Sequence, residues 1–419
     1  MSAEAAVPDF TVIGAGIVGV SCALYLQREG FSVQLIERAG VGTGASAGNA
    51  GSLGTASIPP TGMPGLARRV PGMLLDPQAP LVIRWRHLLK LTPWLIQLLR
   101  NSHGARLDAI IGARAALLSR VHDALDPLLR DAGVEALKVE RGRLFVYEND
   151  GAFSSKSQQM RIRMQYGVRM QPLSGDEARE MEPALGTNVL SAIFLPDVHQ
   201  IANPLHLVQG FARHFAARGG MLISDEITGF AFGNAGVSAV VGSQGSYPAK
   251  NVVLAAGAWS RRLAQELRVR LPIEAERGYS ASILHSDVKL RMPVSLVDRH
   301  VGVSPVDDGL RLAGMAEFAD IDAPPNYARA DILMQHARMV IPGLNHAEIT
   351  SRWMGPRPSL PDSLPAIGRA KNLPNVLFAC GHDHLGLTMG PITGRLIAQI
   401  AAGRAPEIDL RPYSPDRFS

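Results

Sequence analysis

Phe10-Thr11-Val12-Ile13-Gly14-Ala15-Gly16-Ile17-Val18-Gly19 is the stretch that decides the fold. A short β-rich apolar run, Phe10 to Ile13, ends on Gly14, and a helical pattern follows from Val20 to Arg28. Gly30 stops that helix, Phe31 to Ile36 reads as a second strand, and Glu37 comes directly after it. This is a βαβ unit with the G-x-G-x-x-G fingerprint of dinucleotide binding in its required context. Gly14 permits the tight strand-to-helix turn, Gly16 lets backbone approach a pyrophosphate, and Gly19 lets the helix pack close on the strand. The helix N-terminus at Ile17 and Val18 offers unpaired N–H groups and partial positive charge to phosphates. Glu37 is placed to accept hydrogen bonds from ribose hydroxyls, and an acid there argues against a 2′-phosphate.

The next segment selects the kind of dinucleotide. Gly42-Thr43-Gly44-Ala45-Ser46-Ala47-Gly48-Asn49-Ala50-Gly51-Ser52 is dense in small residues. Such a loop can lie flat against a second phosphate and an extended ribityl chain, which points to FAD rather than NAD. The alternative is a flexible linker.

Composition bounds the rest. The chain has 419 residues, suited to two domains, and 46% of them are hydrophobic, enough for a large core. Its net charge of +5 is dispersed, with no basic run and no aromatic interleaving, so nucleic acid is not the expected partner. Cys22 and Cys380 are the only cysteines and form no CxxC, which excludes a disulfide framework and makes a reducing cytoplasm the default. Thr11 to Leu26 is apolar but carries three glycines and meets Gln27 short of the roughly 20 residues needed to span a bilayer.

The Gly14–Gly19 fingerprint, Glu37-Arg38 and the Ser46 to Ser52 loop together resemble the D-amino acid oxidase superfamily, closest to the bacterial D-amino acid dehydrogenases, including D-hydroxyproline dehydrogenases, a resemblance that also puts Ala45 at the cofactor. The resemblance implies an α/β Rossmann-type FAD-binding domain interleaved with an α+β substrate domain containing an antiparallel sheet. The chain divides accordingly. Residues 1–84, 187–263 and 346–419 are assigned to the FAD-binding domain, and 85–186 and 264–345 to the substrate domain. Within them, residues 105–132 read as one long amphipathic helix and Arg143 to Tyr147 as a strand. Ile58 to Ser102 is apolar and basic, with Arg68-Arg69 and interruptions at Pro71, Pro77, Pro80 and Pro93, so no single helix is expected through it. It reads either as short helices over the core or as a surface that touches a membrane peripherally. Leu254 to Trp259 is a strand closing on small residues, Ala256 and Gly257 among them, which lets the chain pass a dinucleotide. The family places backbone near the adenine at a position like Ile227.

Two carboxyl-terminal motifs carry the chemistry. In Trp353-Met354-Gly355-Pro356-Arg357-Pro358-Ser359-Leu360-Pro361-Asp362, prolines hold a loop rigid around Arg357. A fixed guanidinium takes a carboxylate in a bidentate pair; the alternative is a structural arginine. This resembles the family pattern GxRPxxPDxxPxIG, whose arginine binds the substrate carboxylate, with Gly355 beside the cofactor. Gly381-His382-Asp383-His384-Leu385-Gly386-Leu387-Thr388 resembles the family's GHGxLGxT segment, which sets N–H groups and a helix N-terminus near the flavin N1–C2 edge. Asp383 departs from the family glycine. His382, Asp383 and His384 are spaced poorly for a metal, and none is expected. Tyr279, in a segment that lines the family's pocket, is a candidate substrate contact or else a tyrosine satisfied in the core. Neither cysteine stands where a covalent flavin link would need it, so non-covalent FAD is expected.

The reaction this implies is hydride transfer from the Cα of a small amino acid, by resemblance of the D-series with proline or hydroxyproline types among the candidates, giving an imine that water hydrolyses. Electrons would pass to a quinone or the respiratory chain, with the protein in the cytoplasm or at the inner face of its membrane. The alternatives are an oxidase using O2, a sarcosine-type oxidase, or the flavoprotein subunit of a larger complex.

Overall fold

The computed structural model describes residues 6–65, 79–149, 157–234, 236–307 and 309–419. Arg68, Arg69, Pro71 and Pro77, part of the surface read from the sequence, lie outside the described residues.

Phe10–Ile13 forms the centre of a six-stranded sheet, parallel to Val33–Glu37 on one side and to Asn251–Leu254 on the other. Met221–Ser224 extends one edge, and Leu373–Cys380 with antiparallel Ala366–Ala370 extends the other. Two glycines make the first turn possible. Gly14 has φ +101, and a Cβ on it would meet Ala255 O at 2.6 Å. A Cβ on Gly19 would sit 1.8 Å from Gly14 O, so the helix Ile17–Arg28 can lie on its strand only without one. The same helix is buried against the C-terminal helix Gly386–Ala401 and against Pro204–Ala217. Each fully buried Leu or Ile in this core contributes about 1.5–3 kcal/mol.

The second layer is a nine-stranded, mostly antiparallel sheet. Its order is Ser351–Ser359, Glu274–Leu284, Gly309–Phe318, Val301–Val306, Val294–Leu296, Arg143–Tyr147, Ser191–Leu195 and Gln171–Ser174, with Leu81–Ile83 pairing Gly309–Phe318. One face buries Tyr279, Ala281, Leu312 and Val303 against the helix Ala328–Val340. The other faces the nucleotide-binding layer. Arg357 therefore sits on a strand, not in the rigid loop expected from its prolines. Pro356 and Pro358 remove ladder donors, which excludes a central strand but not the edge strand they occupy.

The helices correct two more expectations. Trp85–Asn101 is continuous through Pro93. Tertiary bonds hold it on both sides of the proline: His87 to Glu274 at 3.1 Å, and Trp94 Nε1 donating to Ser359 O. The long helix over 105–132 is two, Gly104–Leu118 and Val121–Ala132, broken at Ser119-Arg120. The turn between them barely disturbs the helical phase, so the apolar spacing reads as continuous. These helices share one core with Ile17–Arg28, although the sequence division assigns them to the substrate side. Conversely, Leu81–Ile83, Ser191–Leu195 and Ser351–Ser359 join the large sheet, not the nucleotide-binding layer to which 1–84, 187–263 and 346–419 assign them. Amphipathic spacing shows that a face is buried, not which neighbour buries it.

Candidate active site

The two layers enclose a cleft of about 1180 Å3, above the roughly 300–1,000 Å3 of a drug-sized site. At one end are Glu37, Arg38, Ile227, Ala256, Gly257 and Trp259. Ala15 N donates to Glu37 Oε2 at 2.7 Å and Ala39 N to Oε1 at 3.0 Å, which fixes the carboxylate at the rim. Arg38 lies over the Trp259 ring at 3.8 Å and pairs with Glu226. In the middle are Gly14, Gly16, Ile17 and Val18 with Ala45, Ser46, Asn49, Ala50 and Ser52. Ile17 N donates to Ser46 Oγ at 3.3 Å, tying the small-residue loop to the helix N-terminus. That loop is no free linker: Arg311, from the large sheet, donates to the carbonyls of Ala47 and Asn49.

At the far end Gly355, Arg357, Gly381, His384, Leu385, Gly386 and Leu387 line the cleft beneath the start of the helix Gly386–Ala401. Three expected cofactor residues stand behind the lining instead. Gly19 packs on Gly14, Gly51 O accepts from Ile201 N, and Thr388 Oγ1 accepts from Gly54 N. They shape the cradle without facing it.

Arg357 Nη1 donates to Glu276 Oε1 at 2.8 Å, and Ser359 Oγ donates to the other carboxylate oxygen. The guanidinium lies flat over Gly278, where a Cβ would fall 2.4 Å from its Cζ. Burial raises the Glu276 pKa, but Arg357 and His384 outweigh it and hold the carboxyl below its usual range. Sequence reasoning missed Glu276; its alternation with Gly278 on one strand face was the available signal. His384 opens to the cleft. Desolvation by the surrounding walls, with Arg114 and Arg357 nearby, holds its imidazole down to about 4 despite Glu276, so it is neutral at neutral pH.

Tyr279 packs in the core and also borders the cleft. It is 1% exposed, donates to Glu317 Oε2 at 2.7 Å and accepts from Asn326 N. His382 is also buried, its Nε2 2.9 Å from Thr393 Oγ1. Among the described residues no group of His, Cys, Asp and Glu could hold a metal.

Asp383 adopts φ +48, which explains why glycine suits this position. Its Oδ1 accepts from Leu360 N, a tertiary bond that holds the side chain in place. Burial pushes its carboxyl up to about 7, opposed by Arg114 and assisted by Glu276. A raised carboxyl stabilises the fold fully below its unfolded value of 3.8, and that contribution is lost as pH rises through about 7. Asp383→Asn keeps an acceptor and removes the titration. Its Tm advantage over the parent should grow from pH 5 to pH 8 by several degrees; a pH-independent difference would contradict the assignment.

Two helix N-termini, a glycine-lined floor and an anchored acid at one rim fit a dinucleotide whose second half reaches the Arg357 end. Glu37 would hold a ribose, residues 14–19 with Ser46 the pyrophosphate, and residues 385–387 the edge of the ring system. Fold and cleft thus define a two-layer flavoprotein of the oxidoreductase class. The chain belongs to the DAO family of FAD dependent oxidoreductases, whose model matches residues 9–400. It is 37% identical to a D-amino-acid oxidase of Bradyrhizobium diazoefficiens, covering 97% of this chain and 98% of the other. It is 32% identical to a D-amino acid dehydrogenase of Paramagnetospirillum magneticum with the same coverage. Its fold matches glycine oxidase from Geobacillus kaustophilus, with a TM-score of 0.77 at 22% identity over 98% of both chains. L-proline dehydrogenase from P. horikoshii gives 0.76 at 21%, again over 98% of both. The cofactor is FAD, as for the family.

Proposed function

We propose that this protein oxidises a small D-amino acid at Cα to the imino acid, which water converts to the 2-oxo acid. The observation that carries this reading is Arg357, locked by Glu276 and Ser359 over Gly278 with its fork at the cleft end where the C-terminal helix begins. Bound FAD supplies the two-electron sink that takes hydride from Cα. Arg357 holds the α-carboxylate and so orients Cα, and positioning of this kind supplies much of the rate. The amine must be neutral to lose hydride. Neutral His384, open to the cleft, is an imidazole able to accept a hydrogen bond from it. Both cysteines are buried, and burial pushes the Cys380 thiol up to about 12, which favours non-covalent flavin.

Anaerobic bleaching of the yellow protein by a panel of D- and L-amino acids, hydroxyprolines and sarcosine tests the reading. Bleaching by D-substrates that is lost in Arg357→Ala supports it; bleaching by dithionite alone would overturn it in favour of a subunit role. Electrons are proposed to pass to a quinone or another respiratory acceptor. The 37% identical relative is named an oxidase, which favours O2 as the second reading. Reoxidation of the substrate-reduced protein by air, against reoxidation by a quinone analogue, separates them.

Among the described residues no helix is long and apolar enough to cross a membrane. Trp85, Leu89 and Ile96 nevertheless stand exposed on one stripe of the helix Trp85–Asn101, Leu89 at 86%, beside exposed Arg86, Lys90 and Arg100. That pattern suits the inner face of an anionic membrane. Co-sedimentation with anionic vesicles, lost in Leu89→Glu, is the expected result, and no co-sedimentation of the parent would remove the membrane reading.

A further inference from the structure

A second arginine faces the cleft, and nothing in the reaction above uses it. Arg143 is 8% exposed and lines the cleft wall. Its Nε donates to Ser295 Oγ at 2.8 Å, and among the described residues no carboxylate pairs with it. Other enclosed arginines have acids or backbone carbonyls of the protein as partners. Arg114 donates to three carbonyls, of Ile58, Ser57 and Ser363, and Arg277 pairs with Glu317. Arg311 holds the carbonyls of Ala47 and Asn49. Burial alone lowers the Arg143 guanidinium, to about 10, with no acid nearby to oppose it. A buried cation costs several kcal/mol unless an anion meets it.

The sheet shows where that anion would lie. Phe145 pairs with Ser295, which pairs with Gly302, then Ala313, Ser280 and Trp353 across successive strands. Cross-strand partners share a face, and Arg143 lies two residues before Phe145, on that same face. Gly302 leaves room for it, since a Cβ there would fall 3.0 Å from Arg143 Nη2. Gly302, Ala313 and Ser280 form a lane of small residues between the two ends. Arg357 stands at the other end, four residues beyond Trp353 and again on the cleft face. Five inter-strand steps separate the two strands, on the order of 24 Å along a flat sheet at about 4.8 Å per step. Both side chains reach inward, Arg357 over Gly278 one strand in and Arg143 over Gly302 two strands in, which leaves about two inter-strand steps, on the order of 10 Å, for a ligand to bridge.

We infer that Arg143 is a second anion subsite, and that the substrates it selects are D-amino acids carrying a distal carboxylate. This rests on the amino acid reading above, with Arg357 on the α-carboxylate and Arg143 on the far one.

The test is anaerobic flavin reduction of the holoenzyme by D-aspartate, D-glutamate, D-2-aminoadipate and D-2-aminopimelate, with D-alanine as the neutral reference. Apparent affinity should be higher for the acid whose length fits the gap than for D-alanine. Arg143→Gln should weaken that acid by about 10- to 100-fold, the size of a lost charged hydrogen-bond pair, and leave D-alanine within about twofold. Arg143→Lys, which keeps charge but not the fork, should fall between. Because the guanidinium has no internal acid to strand, Tm of Arg143→Gln should match or exceed the parent, whereas a structural arginine would lose stability. Equal losses for D-alanine and the acids, or loss of FAD from the variant, would overturn the subsite. If no D-amino acid reduces the parent, the reaction reading fails by itself. Pimelate binding, followed by its perturbation of the flavin spectrum, then still decides the subsite, since it must be present in the parent and lost in Arg143→Gln.

Discussion

Arg357→Ala should lower kcat/KM for every amine substrate by about 10^2- to 10^4-fold. Two charge-assisted hydrogen bonds to a carboxylate are each worth about 1.5–3 kcal/mol, and every 1.4 kcal/mol is tenfold. The structure adds a second consequence, in stability. Glu276 is largely enclosed, its side chain 14% exposed, and its carboxylate keeps its charge largely because Arg357 is beside it. Removing one partner of such a pair costs about 3–5 kcal/mol, since burial then acts on the remaining charge unopposed. The Tm loss of Arg357→Ala should deepen as pH rises above the carboxylate range. The double variant Arg357→Ala/Glu276→Gln should recover most of the Tm and none of the activity. Recovery of activity would show that Arg357 serves only to neutralise Glu276, and a pH-independent Tm loss would remove the ion pair from the explanation. Arg357→Lys should retain Tm better than turnover, because an ammonium keeps the charge but not the planar fork.

Gly19→Ala should yield protein that folds poorly or is isolated without FAD. The added Cβ falls 1.8 Å from Gly14 O and 3.4 Å from Ala255 Cβ, so the helix Ile17–Arg28 must move off its strand. Overpacking of this kind costs about 1–3 kcal/mol and moves the helix N-terminus away from the phosphates it should face. The flavin-to-protein absorbance ratio should fall about tenfold or more. Gly30→Ala is the internal control at the other end of the same helix. Gly30 has φ +88 but no atom within 4 Å of the added Cβ, so only backbone strain of roughly 1 kcal/mol applies and FAD should stay bound. Loss of flavin from both variants would mean general destabilisation, and retention in Gly19→Ala would refute the packing role.

The sequence by itself determined the local parts. Gly14 to Gly19, Glu37 and the Ala45–Ser52 loop name the nucleotide half because a tight turn and a close helix–strand approach require particular residues at fixed offsets. Pro356 and Pro358 around Arg357 mark a constrained arginine for a similar reason. Tertiary structure alone decided what lies across from what. Residues 105–132 are helical by pattern, but nothing in an amphipathic stripe states that they pack with Ile17–Arg28 rather than with the large sheet. Tyr279 and Glu276 belong to one strand, and only its orientation sends the first into the core and the second to Arg357. Asp383 departs from a glycine pattern in the sequence; its left-handed backbone and raised carboxyl emerge from the fold. Arg143 gave no signal at all, because an arginine in a strand is ordinary until the sheet is paired and the neighbouring acids prove absent among the described residues. Motifs record constraints between residues close in sequence, whereas pairing, desolvation and the balance of charge depend on distances the chain acquires only by folding.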